Sequence, residues 1–396
     1  PFGLVLSPDG RRLYVAEAGI NAIAVIDTKT EQLIGRIPTA WFPTKTRVSP
    51  DGQTLYVANG KGFGAGPNGG RDFQLGPGGT GVGELMKGVI QIIPVPNDDE
   101  LKKGLRRVVD NTVKIETVTV DENAPDRNPI PPFPGAYESP IKHVVYITKE
   151  NRTFDQVYGE FPGVKGDPTL ADLGRNVTVT NTNLGLRHEK VNVMPNHQRL
   201  AEQFALYDNF YCDSDHSNDG HRWMVGTVPN TWVETGTKSG ARSGRLESTA
   251  PGRRLMTGSS GAIYPEDYNE AGSIWENMHR NGIRFFNFGL GFEFAFNTET
   301  QEWKYTGVRL AVNYPMPGPL FDRTSRRFAT YNTSVPDQFR VDMFLEEYAK
   351  RWADGKEPFP QVLTMMLPND HGAGPRPAAG YSFRESYMAD NDLALG

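Results

Sequence analysis

The sequence predicts a mixed chain, with antiparallel β repeats at the front and an α/β domain behind them whose mainly parallel sheet is flanked by helices. Three observations lead to this expectation: a repeated strand-turn-strand pattern, a proline-rich stretch, and alternating strand and helix patterns after that stretch. The 396 residues suffice for two or three domains. We therefore expect one domain at 1–120 and another at 141–396, joined by a linker at 121–140.

The first element is the repeat. Two Ser-Pro-Asp-Gly turns begin at Ser7 and Ser49, 42 residues apart, and an alternating strand ending in Leu-Tyr-Val-Ala follows each. Pro-Asp-Gly favours a turn, and alternation of apolar residues is typical of a strand with one buried face. A period near forty with several short strands per unit predicts all-β blades of a β-propeller. Two units cannot close a ring, so we expect the missing blades upstream or on another chain.

Two irregular segments follow. Residues 60–83 are rich in glycine but lack the Gly-Lys-Ser/Thr of a phosphate-binding loop and its strand-to-helix setting, so we interpret them as a surface insertion. A strand at 88–95 resumes the repeat. Residues 121–140 contain six prolines and no periodicity, which predicts an extended linker.

The remaining chain alternates between strand and helix patterns. Short apolar runs predict strands at 142–148, 283–288 and 361–367, of which the first and last should be buried, and helical spacing predicts helices at 196–207 and 272–281. This alternation favours a mainly parallel sheet. In such sheets functional residues collect at the carboxyl ends of the strands.

Composition excludes several classes of protein. The net charge of −5 gives no electrostatic reason to expect a nucleic-acid partner. No run of eighteen apolar residues is present, so we expect no transmembrane segment. Cys212 is the only cysteine, which excludes an intrachain disulfide and a cysteine-based zinc site. We interpret Cys212 as a small buried apolar residue.

Two candidate sites directly follow predicted strands. Glu150 and Asn151 come after the strand at 142–148, and a carboxylate beside an amide suits a hard cation. The alternative is an ordinary turn with solvated charges. Asp370 and His371 come after the strand at 361–367 and form a plausible pair of metal ligands. A structural loop is the alternative for this pair.

A third candidate site lies at 211–223, where Asp, His, Ser and Arg crowd together before a predicted helix. A hydroxyl at a helix N-terminus benefits from unpaired N–H groups and the helix dipole, so Ser217 is the best-placed nucleophile. His221 could bind phosphoryl oxygens or carry a proton. The alternative is a capping loop without a catalytic role. The other histidines are interpreted as structural or surface residues: His143, His188, His197 and His279.

Taken together, these segments resemble a known family. ENRTFDQVYG, PNHQRLAEQFALYDNFYCDSDHSNDGH, LPNDHGAGPRP and MADNDLALG occur in the order found in the bacterial phosphoesterases, which include phospholipases C and acid phosphatases related to alkaline phosphatase. The resemblance covers about residues 140–396. The front of the chain, about residues 1–120, resembles the YVTN-type propeller repeats of bacterial surface and periplasmic proteins, to which some of these phosphoesterases are fused.

The resemblance implies an alkaline-phosphatase-like domain with roles for specific residues. Glu150 and Asn151 match the pair that binds the active-site metal, and Asp370 with His371 matches a second metal-binding region, although its spacing is unusual. Ser217 matches the nucleophile, with His221 beside it. Oxygen-rich ligands suggest a divalent Ca, Mg or Mn ion before Zn.

Two alternatives concern the same alignment. Counting back from Arg222, as in the phospholipase members, places Asn218 rather than Ser217 at the nucleophile position. Family members also continue past the ADNDLALG motif to a further acidic metal motif, whereas this sequence stops at Gly396. We therefore expect the domain at 141–396 to be incomplete at its C-terminal end and another chain to be a possible source of the missing parts.

The expected function is metal-dependent hydrolysis of a small-molecule or lipid phosphate ester through a serine nucleophile, in a periplasmic, secreted or cell-surface protein. One alternative is a non-catalytic envelope protein that binds a partner and keeps a degenerate site. A sulfatase is disfavoured because neither Cys212 nor Ser217 lies in a C/S-x-P-x-R setting.

Overall fold

A computed structural model of the chain describes residues 2–63, 87–112, 128–131, 133, 135–211, 217–226, 246–247, 254–255, 272–293, 311–312 and 318–396. The chain forms two compact units, Pro1–Glu138 with Thr231–Gly258 and Ser139–Asn230 with Ser259–Gly396. The fold is mixed α/β, with antiparallel sheets and a small parallel sheet. Residues 64–83 of the predicted surface insertion and 121–127 of the predicted linker lie outside the described residues.

Two antiparallel sheets form the first unit between residues 4 and 94, in the orders β1–β2–β3–β4 and β5–β6–β7. Both Ser-Pro-Asp-Gly turns join adjacent strands, β1 to β2 and β5 to β6, as the repeat predicts. The strands are β1 (Leu4–Leu6), β2 (Arg12–Glu17), β3 (Ala22–Asp27), β4 (Leu33–Pro38), β5 (Pro43–Val48), β6 (Thr54–Asn59) and β7 (Val89–Pro94).

A helix that the repeat does not predict follows β7. Helix α1 (Asp98–Asn111) begins with a capping box, in which the Asn97 side chain accepts backbone N–H groups and Glu100 bonds back to the Asn97 N–H. Gly104 allows close approach to β4, because a Cβ there would lie 2.1 Å from the Arg36 carbonyl oxygen. The expectation of an all-β domain at 1–120 is therefore wrong at this helix.

The core of the first unit combines both sheets with α1. Alternate residues of β2, β3 and β6 point inward, as the two-residue period of a strand requires. Helix α1 adds one leucine to this core, which explains why the helix lies against β4. The buried residues are Tyr14, Ala16, Ile23, Val25, Ile37, Leu55, Val57 and Leu101.

The second unit contains a parallel sheet of three strands in the order β11–β12–β8, with β12 in the centre. The predicted strands at 142–148, 283–288 and 361–367 and their parallel pairing are confirmed. The strands are β8 (Val144–Lys149), β9 (Val177–Asn181), β10 (Leu186–Val191), β11 (Phe285–Phe288) and β12 (Val362–Leu367), of which β9 and β10 pair antiparallel. Two-residue pairings join Phe292–Glu293 to Ala311–Val312 here and Leu246–Glu247 to Arg254–Leu255 in the first unit.

The helices of the second unit are α2 (Phe154–Tyr158), α3 (Pro195–Gln203), α4 (Ser217–Gly226), α5 (Ile274–Arg280), α6 (Gly318–Asp322), α7 (Asp337–Arg351) and α8 (Glu385–Leu395). Helix α3 ends four residues before the predicted end at 207, and Phe204 beyond it is 70 % exposed. In the part of the chain that the structure describes, no helix has the length and apolar character needed to cross a membrane.

Strand β8 differs from its prediction as a buried strand. Its first three residues, Val144, Val145 and Tyr146, are exposed, and only its end is covered. Among the described strands, β8 pairs with β12 on one side only, so it forms an edge of this sheet. An apolar run is compatible with an edge strand, and the sequence pattern does not distinguish the two cases.

Candidate functional site

The candidate site lies where β8 and β12 end. The two strands are parallel neighbours, and their last register pair joins Lys149 to Leu367. Glu150 therefore follows β8 at the same edge at which Asp370 follows β12. The Glu150 N–H donates to Asp370 Oδ1 at 2.8 Å, across 220 residues of sequence. The structure thus brings together two of the predicted site residues.

Helix α4 contributes a third predicted residue. His221 Nε2 lies 3.2 Å from Glu150 Oε2, and both side chains are largely buried. Burial raises the pKa of Glu150, but the hydrogen bond and charge of His221, together with the charge of His371, outweigh it, so this pKa lies below its ordinary value. Glu150 is consequently ionised at neutral pH and orients the His221 ring.

Ser217 is the first residue of α4, four residues before His221. Residues four apart lie on the same face of a helix, so the backbone of α4 places Ser217 one turn from the residue that meets Glu150. The first N–H groups of a helix have no partner within the helix, which suits this end to an anion. The side chains of Ser217 and of the alternative, Asn218, lie outside the described residues, as does Cys212.

The remaining two predicted residues are joined by an arginine that was not predicted as part of the site. Arg152 Nη2 donates to Asn151 Oδ1 at 3.3 Å and to the His371 carbonyl oxygen at 3.1 Å. Asn151 is exposed, while His371 is half-buried with its ring edge-on to Tyr331. Arg152 therefore ties the loop after β8 to the loop after β12.

Asp370 points into the protein. Its side chain is 1 % exposed, and Oδ2 lies 3.4 Å from Lys149 Nζ. Oδ1 accepts the Glu150 N–H and lies 3.4 Å from Asn391 Nδ2. Burial raises the pKa of Asp370 to about 6, although the nearby Lys149 charge and the Glu150 N–H act in the opposite direction. Both oxygens of this carboxylate thus face donors of the protein itself.

Of the predicted cation ligands, Glu150 has its Oε2 against His221, and Asn151 accepts Arg152 Nη2 with its Oδ1. Glu150 and Asn151 are consecutive, and a carboxylate with an amide fits Ca, Mg or Mn. The inward orientation of Asp370 does not supply a third. Among the described residues, no group of three or more His, Cys, Asp or Glu side chains could hold a metal ion.

The three polar residues of the ADND motif, Asp390, Asn391 and Asp392, are buried on α8, and the first two contact the same loops. Asp390 Oδ2 accepts Asn369 Nδ2 at 2.7 Å, and Asn391 Nδ2 donates to the Leu367 carbonyl oxygen at 2.9 Å. The motif carries part of the family resemblance, but the sequence alone does not predict a role for these residues. The sequence offers one indication of such a role, which is a run of polar residues directly before the apolar residues that end the helix.

The second acidic residue of the motif, Asp392, holds the start of α3. Asp392 Oδ1 accepts the His197 N–H at 2.8 Å and lies 2.6 Å from His197 Nδ1. Burial lowers the pKa of His197 despite the opposing effect of Asp392. His197 is therefore neutral in the folded protein, in agreement with its interpretation as a structural residue.

We expect His197→Asn to lose less stability than the wild type as the pH falls from about 7 to about 5. The unfolded state binds a proton at His197 near the ordinary pKa of 6.5, whereas the folded state binds it at lower pH, so acid favours unfolding. The slope from this group reaches at most about 1.4 kcal/mol per pH unit. Asn keeps an N–H donor for Asp392 but does not titrate.

Chemical denaturation at several pH values measures this difference. His279→Asn, the same replacement at an exposed histidine, is the matched control for the change of residue type. If the free energy of unfolding of His197→Asn changed with pH as much as that of the wild type, the assignment of a neutral, buried His197 would be contradicted.

No family model matches the chain, and no curated protein matches it. Among solved structures, the Kuenenia stuttgartiensis hydrazine synthase is 23 % identical with a TM-score of 0.17, over 25 % of this chain and 21 % of that one. The beta-propeller domain of Cps50 (Swd1) from Myceliophteria thermophila is 15 % identical with a TM-score of 0.15, over 24 % and 28 %. The chain spans about a quarter of each, and neither likeness bears on phosphoesterase activity.

Proposed function

We propose that the second unit hydrolyses phosphate esters, with Ser217 as the nucleophile. One observation carries this proposal: α4, which begins at Ser217, places His221 3.2 Å from Glu150 at the carboxyl ends of β8 and β12. Strand ends of a parallel sheet are where catalytic groups collect. The family resemblance of the surrounding motifs supplies the class of reaction.

The proposed reaction proceeds in two displacements. The Ser217 oxygen forms a bond to phosphorus while the bond from phosphorus to the leaving oxygen breaks, and the hydroxyl proton ends on the leaving alcohol. Water then hydrolyses the phosphoserine, which releases inorganic phosphate and restores the serine. The N-terminus of α4 stabilises the negative phosphoryl group during both steps.

His221 and Glu150 act together in this scheme. The ionised Glu150 lies 3.2 Å from His221 Nε2 and orients the imidazole, which would bind phosphoryl oxygens. A carboxylate that ligates a metal is commonly hydrogen-bonded as well, so the contact with His221 is compatible with a cation. Glu150 and Asn151 would hold the divalent ion, whose charge would offset that of the phosphate oxygens.

The substrate class in this proposal is a small-molecule or lipid phosphate ester. The proposal includes an alkaline-phosphatase-like sheet behind partial propeller blades and a periplasmic, secreted or cell-surface location, both supported by the motif resemblance. Two consecutive antiparallel sheets that share one core support the blades. Further blades from upstream or from another chain are part of the same proposal.

Trapping the covalent intermediate tests the nucleophile. The full chain is incubated with Mn²⁺ and an aryl phosphate, quenched with acid and digested, and the peptide containing Ser217 is expected to gain the mass of one phosphoryl group. Ser217→Ala should lose both this mass and turnover, while the neighbouring Asn218→Ala should keep the modification. Turnover by Ser217→Ala at the wild-type rate would refute the proposal.

The inward orientation of Asp370 favours a second candidate, a non-catalytic binding protein with a degenerate site. A stoichiometric divalent ion in the purified full chain, measured by elemental analysis, supports the enzyme. A metal-free protein without turnover on any aryl phosphate supports the binding protein.

A further inference from the structure

We propose that Asp370 and Lys149 are positioning residues of this site, which together hold the peptide that carries Glu150, and that Asp370 is not a cation ligand. The inference rests on the proposed function only where it is tested by enzyme kinetics. The test by amide exchange does not require the protein to be an enzyme. Three contacts beneath the site support it.

Asp370 holds two adjacent points of the chain after β8. Its Oδ1 accepts the N–H of Glu150 at 2.8 Å, and its Oδ2 lies 3.4 Å from the ammonium of Lys149, the preceding residue. One carboxylate therefore binds the N–H of the peptide that joins these two residues and the side chain of the first of them. The position of the Glu150 side chain against His221 depends on that peptide.

Lys149 depends on Asp370 in return. Among the described residues, the solvent-shielded Nζ has no hydrogen-bond partner of regular geometry, and Asp370 is the carboxylate within 4.0 Å of it. Burial lowers the pKa of Lys149, which the charge of Asp370 opposes. If Asp370 turned outward to bind a cation, this buried ammonium would lose its counter-ion, which is strongly unfavourable.

Asn391 keeps Asp370 in its inward orientation. Its Nδ2 lies 3.4 Å from Asp370 Oδ1 and also donates to Asp337 Oδ2 at 2.7 Å and to the Leu367 carbonyl oxygen at 2.9 Å. Helix α8 thereby links the end of β12 to the carboxylate that holds β8. This contact gives the ADND motif a role in site geometry.

Two single variants and their combination test the pair. Lys149→Met leaves the Asp370 charge buried without its cation, and Asp370→Asn keeps an oxygen for the Glu150 N–H. We expect Lys149→Met to speed amide exchange of the peptide containing Glu150 by at least about 10-fold, as a local opening would. Its kcat for an aryl phosphate should fall by about 10- to 100-fold with KM little changed, the scale of misplacing a catalytic group.

The double variant separates positioning from metal ligation. With both charges removed, the amide that replaces the Asp370 carboxylate no longer leaves an unpaired charge in the interior. Lys149→Met/Asp370→Asn should therefore recover exchange protection and at least about 5-fold of the lost kcat. A metal ligand could not be rescued in this way. The exposed Lys165→Met serves as control and should match the wild type in both measurements.

The outcomes separate the two proposals. A double variant that exchanges as fast as Lys149→Met, or Asp370→Asn that loses Mn²⁺ binding shown by the wild type, overturns the positioning role. A wild type without turnover refutes the proposed function, but the exchange measurement still decides whether Asp370 and Lys149 hold the Glu150 peptide. Circular dichroism confirms that each variant is folded.

Discussion

Replacing Glu150 with Ala is expected to lower turnover of an aryl phosphate at least about 100-fold in the full chain, the loss typical of removing one key group of a charge-stabilising site. Glu150 is 7 % exposed at the end of β8 and is the carboxylate that His221 meets. Ala removes the carboxylate that orients His221 and one of the two oxygen donors proposed for the cation. The expected loss therefore falls mainly on kcat.

Steady-state kinetics on purified variants measures this effect. Glu189, exposed and paired with Arg187 in the same unit, is a matched control, so Glu189→Ala should keep the wild-type rate. Glu150→Gln keeps the shape of the side chain and an oxygen near His221 but removes the charge. We expect its turnover to be lowered as well. Wild-type kcat in folded Glu150→Ala would exclude the proposed site.

The second large effect concerns stability. Arg340→Met is expected to destabilise the second unit by about 3–5 kcal/mol, the cost of breaking a buried ion pair by removing one partner. Arg340 and Asp337 are both 0 % exposed, and the guanidinium Nη1 lies 2.9 Å from Asp337 Oδ1. Met fills part of the volume but leaves the Asp337 charge unpaired. The guanidinium also donates to the carbonyl oxygens of Ala329, Thr330, Asn332 and Val335.

Unfolding in guanidinium chloride measures this loss of stability, which appears as a lower denaturant concentration at the unfolding midpoint of the second unit. Arg327 supplies the control, since its ion pair with Glu346 is mostly exposed and such pairs contribute about 0–1 kcal/mol. Arg327→Met should therefore unfold near the wild-type midpoint. Equal midpoints for Arg340→Met and Arg327→Met would show that the buried pair does not stabilise the fold.

The ion pair of Arg340 also reaches the candidate site. Asp337 Oδ2 accepts the Asn369 N–H at 2.9 Å and Asn391 Nδ2 at 2.7 Å. Asn369 directly precedes Asp370, so α7, α8 and the loop after β12 share one buried polar network. Such networks are stable only when their charges are paired, which explains why Arg340 is fully buried.

Parts of the site were predictable because they depend on local rules. Glu150 and Asp370 follow short apolar runs, and parallel strands bring their carboxyl ends to one edge. The orientation of Asp370 was not predictable, since a side chain just past a strand can turn either way. The direction of the Asp370 side chain is decided by its contacts with Lys149 and Asn391. Asn391 belongs to α8, which is far from β8 in sequence.

The differences between the predicted and the observed secondary-structure elements have similar causes. Asn97 and Glu100 form a capping box that indicates the start of α1. The strand repeat led instead to the prediction of an all-β domain. The apolar run of β8 fits a buried or an edge strand equally well, and pairing decided between them. Helix α3 ends at Gln203 although Phe204 continues the helical spacing, because spacing alone does not define where a helix ends.

The order of residues is enough to predict the mixed α/β class, the repeat with its turns, and the strand ends at which polar residues cluster. These features depend on periodicity and turn chemistry, which act over a few residues. The contact of His221 with Glu150, the inward Asp370 and the buried Arg340 depend instead on the folded chain. Such contacts join residues far apart in sequence, and their geometry arises only when separate elements pack together.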